Sequence, residues 1–279
     1  MTIKKILVAA VAAFLPAILP VGAAQAAPVS IKGSDTMVIL GQRWAENYMQ
    51  KNPNNQIQVT GGGSGTGISA LINGTTDICQ SSRSMKAAEK AKVRERYATT
   101  GVEIPVAKDG LAVYVHASNP MTEISMQQLK DIFTGKVTNW KEIGGSDTRI
   151  IVYSRENSSG TYVFFKDVVL EGRDFSPRAQ TMPGTASVVN AVSKEVQSIG
   201  YGGAAYAKGI KILKVKKDSG SAGVAPDLQT VQSGEYPLAR PLFFYLRNKP
   251  SGDIKTFVDY VLSAEGQSVV SKVGYYPIK

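Results

Sequence analysis

Hydrophobic and polar positions first alternate at Val29-Ser30-Ile31-Lys32, and this two-residue period predicts a short strand. The period then lengthens. Met37, Leu40, Trp44, Tyr48 and Met49 recur at helical spacing, until Asn52-Pro53-Asn54-Asn55 stops the run. Gln56 to Thr60 alternates again and runs into Gly61 to Gly67, followed by a short apolar segment from Ile68 to Ile72. Thr76 to Gln80 reads as another strand, ending in Ser81-Ser82-Arg83, and Lys86 to Tyr97 as a charged amphipathic helix. Strand, loop and helix in succession predict an α/β chain.

The later chain keeps the habit. Helices are predicted over Ser125 to Phe133, Tyr162 to Leu170, Val188 to Val196, Ile254 to Ser263 and onward from Glu265, with a turn at Thr138-Asn139-Trp140. Arg149 to Tyr153, Ile199 to Gly203 and Ile210 to Val215 read as strands, and the lysine-rich Lys208 to Lys217 as a solvated edge. Two β-rich runs are longer: Ile104 to Val115, broken at Asp109-Gly110, which reads as a hinge or turn ahead of a site carboxylate, and Arg240 to Arg247. A chain that crosses from one lobe to another and later returns builds a two-lobed clamp, and these runs are the candidate crossovers.

Composition changes the picture at the N-terminus. Lys4-Lys5, the apolar Ile6 to Val21 and then Ala24-Gln25-Ala26 have the three-part layout of a cleavable export signal. The apolar run carries Pro16 and Pro20 and falls short of the roughly 20 residues of a membrane span. Without residues 1–26 the formal charge of +10 becomes +8, which suits an anionic ligand, partner or surface. The basic residues are spread out rather than clustered with aromatics, which argues against nucleic acid. Cys79 is the only cysteine, so no intramolecular disulfide can form, and no cysteine at the cleavage point offers a lipid anchor.

Candidate chemistry sits between strands and helices. Tyr153-Ser154-Arg155-Glu156-Asn157-Ser158-Ser159-Gly160-Thr161 places an arginine, hydroxyls and a glycine before a predicted helix start. Free backbone N–H groups and a partial positive charge favour an anion there. Arg155 adds a planar fork of donors matched to a tetrahedral oxyanion. Ser34-Asp35-Thr36 and Ser64-Gly65-Thr66-Gly67 repeat the arrangement, and Arg83 also ends a strand. In open α/β sheets ligands collect at the carboxyl ends of strands, so three such loops predict convergence on one anion.

Other chemistries find little support. Gly65 to Ala70 fits only a degenerate dinucleotide fingerprint, and no Lys-Ser/Thr follows the glycines as a P-loop requires. No serine has glycines at both −2 and +2, and the sole histidine, His116, has no obvious nucleophile beside it. His116 is expected at the surface or lining a cleft, and Cys79 as a small buried hydrophobe. One His and one Cys make no zinc set of the usual kind.

The motifs Gly33-Ser34-Asp35-Thr36, Gly61 to Gly67, Asp77 to Arg83, Asp109 to Val113, Phe133-Thr134-Gly135, Asn139-Trp140, Arg155 to Thr161 and Tyr236 to Leu242 follow one another in order. Together they resemble the periplasmic phosphate-binding protein of bacterial ABC phosphate importers over nearly all of the mature chain. The resemblance implies an α/β, two-lobed, type II-like periplasmic binding fold with two inter-lobe crossovers. It implies a lobe of residues 27–108 and 241–279 and another of 109–240, after the signal at 1–26. It further implies phosphate held without metal or cofactor by Thr36, the Met37 amide, Ser64, Ser82, Arg155, Ser159, Gly160 and Thr161. Ser34, Asp35, Gly65, Arg83 and Ser158 are further candidates.

One position departs from the pattern. Better-known members carry an aspartate where Ser82 stands, and that carboxylate accepts the proton of hydrogen phosphate and so rejects sulfate. Asp35 is either a substitute acceptor or a salt-bridge partner of Arg83 or Arg155. The expectation is a monomeric, periplasmic phosphate receptor that serves ABC importer membrane subunits and binds no nucleic acid. The alternatives are another tetrahedral oxyanion (sulfate, molybdate), a phosphate-ester hydrolase, or an adhesion or signalling protein on the same fold.

Overall fold

The computed structural model describes residues 28–278, so the predicted export signal lies outside it. The first lobe opens with β1 (Val29–Gly33), α1 (Val38–Lys51), β2 (Ile57–Thr60), α2 (Ser64–Asn73), β3 (Ile78–Ser81) and α3 (Ala87–Tyr97). β4 (Val102–Val115) then leads into β5 (Glu123–Ser125), α4 (Met126–Phe133), β6 (Ile151–Arg155), α5 (Gly160–Val168) and β7 (Gln180–Met182). α6 (Gly184–Lys194), β8 (Ser198–Gly203), β9 (Lys211–Lys216) and α7 (Leu228–Ser233) complete the second lobe. β10 (Ala239–Leu246) returns to the first, which ends with α8 (Gly252–Leu262) and α9 (Ala264–Val273).

The strand order is β2-β1-β3-β10-β4-β8-β6-β7, with β9 beside both β4 and β5. β4 is the shared element. Its first part pairs antiparallel with β10, from Leu246↔Val102 to Ala239↔Gly110, and its last part with β8 and β9. The two long runs are therefore the crossovers.

One sequence expectation fails here for a physical reason. Asp109-Gly110 is neither break nor turn, because it lies in the ladder opposite Arg240 and Ala239 and the buried carboxylate meets a cation directly across. In the lysine-rich strand, β4 pairs Lys211 to Leu213 and β5 pairs Lys214 to Lys216; Lys208, Lys214 and Lys217 are exposed, while Lys211 and Lys216 reach the Asn119 carbonyl and Glu123.

Each lobe has its own core. In the first, α1 buries Leu40, Trp44 and Tyr48, with Trp44 edge-on to Phe244 at 5.7 Å and Tyr48 edge-on to Phe257 at 5.3 Å. In the second, Phe133, Phe165 and Tyr201 are fully buried, and Phe165 stacks on Tyr201 at 4.0 Å. Burying a side chain of this size stabilises by about 1.5–3 kcal/mol, so truncating Phe165 to alanine would cost about 3–5 kcal/mol. Among the described residues no helix is long and apolar enough to cross a membrane.

Candidate functional site

The three loops meet where the lobes face each other. Ser34, Thr36, Ser64, Ser82, Ser159 and Thr161 are each 2 % exposed or less. Burial of so many hydroxyls requires partners, and here the partners are largely one another. The Ser34 hydroxyl donates to Ser82 Oγ at 2.9 Å, and the Ser82 amide donates to Ser64 Oγ at 3.1 Å. Across the cleft, Thr36 Oγ1 and Thr161 Oγ1 are 2.8 Å apart, and the Gly65 amide donates to the Ser158 carbonyl at 2.8 Å. The lobes are closed on each other.

Local rules explain why these loops present donors. Gly63 caps α2 at a φ of 91°, open to glycine and strained for other residues, and turns the chain so that Ser64 heads the helix. Ser159 caps α5 by accepting from the Thr161 and Tyr162 amides, as its sequence position predicts. The Gly160 amide lies in the first turn, where no intrahelical acceptor exists. Gly160 allows the closest approach. A Cβ there would lie 2.3 Å from Ser64 Oγ and 2.7 Å from Ser82 Oγ. Two helix N-termini, one per lobe, thus point their partial positive charge into the same cluster.

Arg155 is 1 % exposed and densely paired. It donates through Nε and Nη2 to Glu156, through Nη1 to Thr185 Oγ1 at 2.9 Å, and through Nη2 to Asp35 Oδ2 at 2.9 Å. Those four bonds engage all but one of its five N–H groups. Asp35 is the salt-bridge partner of Arg155, not of Arg83. Its other oxygen accepts from the Gly62 amide at 2.8 Å, so each oxygen already accepts one bond. Burial works to raise the Glu156 carboxyl, but the hydrogen bonds and charge of Arg155 outweigh it and hold the group below its ordinary value.

Some sequence candidates lie elsewhere. Arg83 pairs with Glu89 through two bonds of 2.7 and 2.8 Å, which directs its guanidinium to the start of α3 rather than into the hydroxyl cluster. The Met37 amide donates to the Ser34 carbonyl at 3.0 Å inside a tight turn. His116 is half-buried and bonds Ser118 locally. Among the described residues no group of His, Cys, Asp and Glu has a metal-binding arrangement.

Sequence reasoning ranked Asp109 as a site carboxylate behind a hinge or turn, and it missed Arg240. Asp109 and Arg240, directly opposed on the crossover strands, each have side chains 1 % exposed and pair at 2.8 Å. Arg240 Nη2 also donates to Thr161 Oγ1 at 3.0 Å and Nη1 to the Ser82 carbonyl at 3.2 Å. A charged residue inside each predicted crossover, opposite in sign, was the available signal. Tyr206 was missed too, and its hydroxyl donates to the Asp35 carbonyl at 2.7 Å.

Fold and site together define a binding protein that closes two lobes over an anion pocket. A family model described as a PBP superfamily domain matches residues 20–265. The phosphate-binding protein PstS of Pseudomonas aeruginosa is 36% identical over 267 residues, spanning 90% of this chain and 83% of the relative. The PstS of Bacillus subtilis is 35% identical over 251 residues, spanning 90% and 80%. A substrate-binding protein from Clostridium perfringens, solved with bound phosphate, superposes with a TM-score of 0.82 at 31% identity, covering 91% of this chain and 100% of that one. The chain belongs to the phosphate-binding-protein family of the PBP superfamily.

Proposed function

We propose that this chain captures inorganic phosphate between its lobes and delivers it to the membrane subunits of an ABC importer. One observation carries the reading: buried hydroxyls and two helix N-termini from opposite lobes converge on a cluster that also holds Thr36 and Thr161 in contact. Such a site offers a tetrahedral anion hydroxyl and helix N-terminal donors, with one N–H of the carboxylate-paired Arg155 still to give. The names of the relatives support phosphate as that anion.

In this reading Thr36, Ser64 and Ser82 bind from the first lobe, and Arg155, Ser159, Gly160 and Thr161 from the second. The Met37 amide contributes once phosphate loosens its bond to Ser34. Asp35 is tied to Arg155 and the Gly62 amide, whereas Ser82 lies within the hydroxyl cluster, and its hydroxyl, which donates and accepts, takes the proton of hydrogen phosphate. The lobes are residues 27–108 with 241–279, and 109–240. Supporting this division, Lys108 and Asp109 stand opposite Pro241 and Arg240 in the crossover ladder. Phosphate prefers the closed state because it touches both lobes. Residues 1–26 act as a cleavable signal, and the mature protein works in the periplasm.

Retention of radiolabelled phosphate on the purified protein tests the reading. Unlabelled phosphate displaces the label, sulfate at the same concentration does not, and a model phosphate ester is not hydrolysed. Equal displacement by sulfate would favour a general oxyanion receptor, and ester turnover would favour a hydrolase.

A further inference from the structure

The Asp109–Arg240 pair lies on the crossover strands, outside the three loops, yet it reaches both of their lobes. Arg240 places Nε and Nη2 on Asp109 Oδ2 at 3.0 and 2.8 Å, while its Cζ lies over the Phe164 ring, 5.2 Å from the centroid. The guanidinium is thus fixed on one edge by a carboxylate and on one face by an aromatic ring. Two of its three remaining N–H groups go to the Ser82 carbonyl in the first lobe and to Thr161 Oγ1 in the second.

A guanidinium has no acceptor, so Thr161 Oγ1 must accept from Arg240. The single Thr161 proton is then directed away from Arg240, toward the position that Thr36 Oγ1 occupies at 2.8 Å. A cation one bond behind the hydroxyl also polarises it and strengthens that outward donation. An unbiased threonine hydroxyl would serve as donor or acceptor equally well.

We infer that Arg240, held by Asp109, is a positioning residue of the anion site. It makes the Thr161 hydroxyl a one-way donor into the cleft and fixes the Ser82 and Thr161 loops to the crossover ladder. The inference rests on the phosphate reading of the cleft. It adds a residue pair that sets the polarity of the Thr161 hydroxyl.

The test is a mutant cycle with inorganic phosphate as the probe. The double replacement Asp109→Leu and Arg240→Met exchanges a buried ion pair for apolar groups, a change that proteins often tolerate or are stabilised by. The expected result is a folded protein with wild-type thermal stability and phosphate affinity lower by about tenfold or more. Introduced into a Thr161→Val background, the same double replacement should change affinity by less than about threefold, because its route to the ligand is already gone. Arg240→Lys, which keeps a charge beside Asp109 but loses the planar fork, supplies the same cycle should the apolar pair not fold. Equal loss of affinity in the two backgrounds, or no loss in either, overturns the inference while wild-type protein still binds phosphate. Wild-type protein that fails to bind phosphate overturns the underlying reading instead.

Discussion

Arg155 Nη2 donates to Asp35 Oδ2 at 2.9 Å, so the central cation of the second lobe is held by a carboxylate of the first. Because the pair exists only when the lobes meet, Asp35 acts on the open–closed equilibrium as well as on the site. Asp35→Asn should shift ligand-free protein toward open forms, visible as a larger radius of gyration by X-ray scattering. Saturating phosphate should restore the compact value. An unchanged ligand-free radius would show that the bond does not hold the lobes.

Gly160 sets how closely the lobes approach. Its added Cβ would intrude to 2.3 Å from Ser64 Oγ. Overpacking of this kind costs about 1–3 kcal/mol, and here the cost falls on closure rather than on folding, since alanine suits the first turn of a helix. Gly160→Ala should weaken phosphate binding by about 10- to 100-fold and leave the melting temperature of the ligand-free protein near wild type. Calorimetric titration beside a thermal melt reads both.

The Glu156 carboxyl, held below its ordinary 4.5 in the folded protein, links stability to pH. A carboxylate depressed by folding contributes stability that is present above its unfolded value and is lost as pH falls through the lower folded value. Urea denaturation between about pH 7 and about pH 3 should therefore show stability falling on the acid side. Glu156→Gln should be less stable at neutral pH and lose less on acidification. Parallel curves for the two proteins would contradict the assignment.

Cys79 is fully buried on β3, and burial pushes its thiol well above the ordinary range. Both effects suppress thiolate chemistry. The native protein should resist alkylation and react with one equivalent of reagent only after unfolding. Rapid labelling of native protein would show that β3 opens far more readily than its packing implies.

The legible part of this molecule is local. Glycines and hydroxyls between strand and helix marked the ligand loops because capping and close approach need those residue types wherever the chain ends up. Helix positions followed from spacing, as at Leu40, Trp44 and Tyr48. What escaped was decided between distant residues. Asp109-Gly110 carries turn chemistry, and only Arg240, 131 residues away, makes it a strand. Arg83 and Arg155 look alike in sequence, yet Glu89 takes one while Asp35 and Glu156 take the other.

Isothermal titration calorimetry with phosphate, then with sulfate, tests the central claim most directly. The account predicts saturable binding of one phosphate per chain at micromolar or tighter affinity, with sulfate much weaker. Absence of phosphate binding, or sulfate bound as tightly as phosphate, would contradict it.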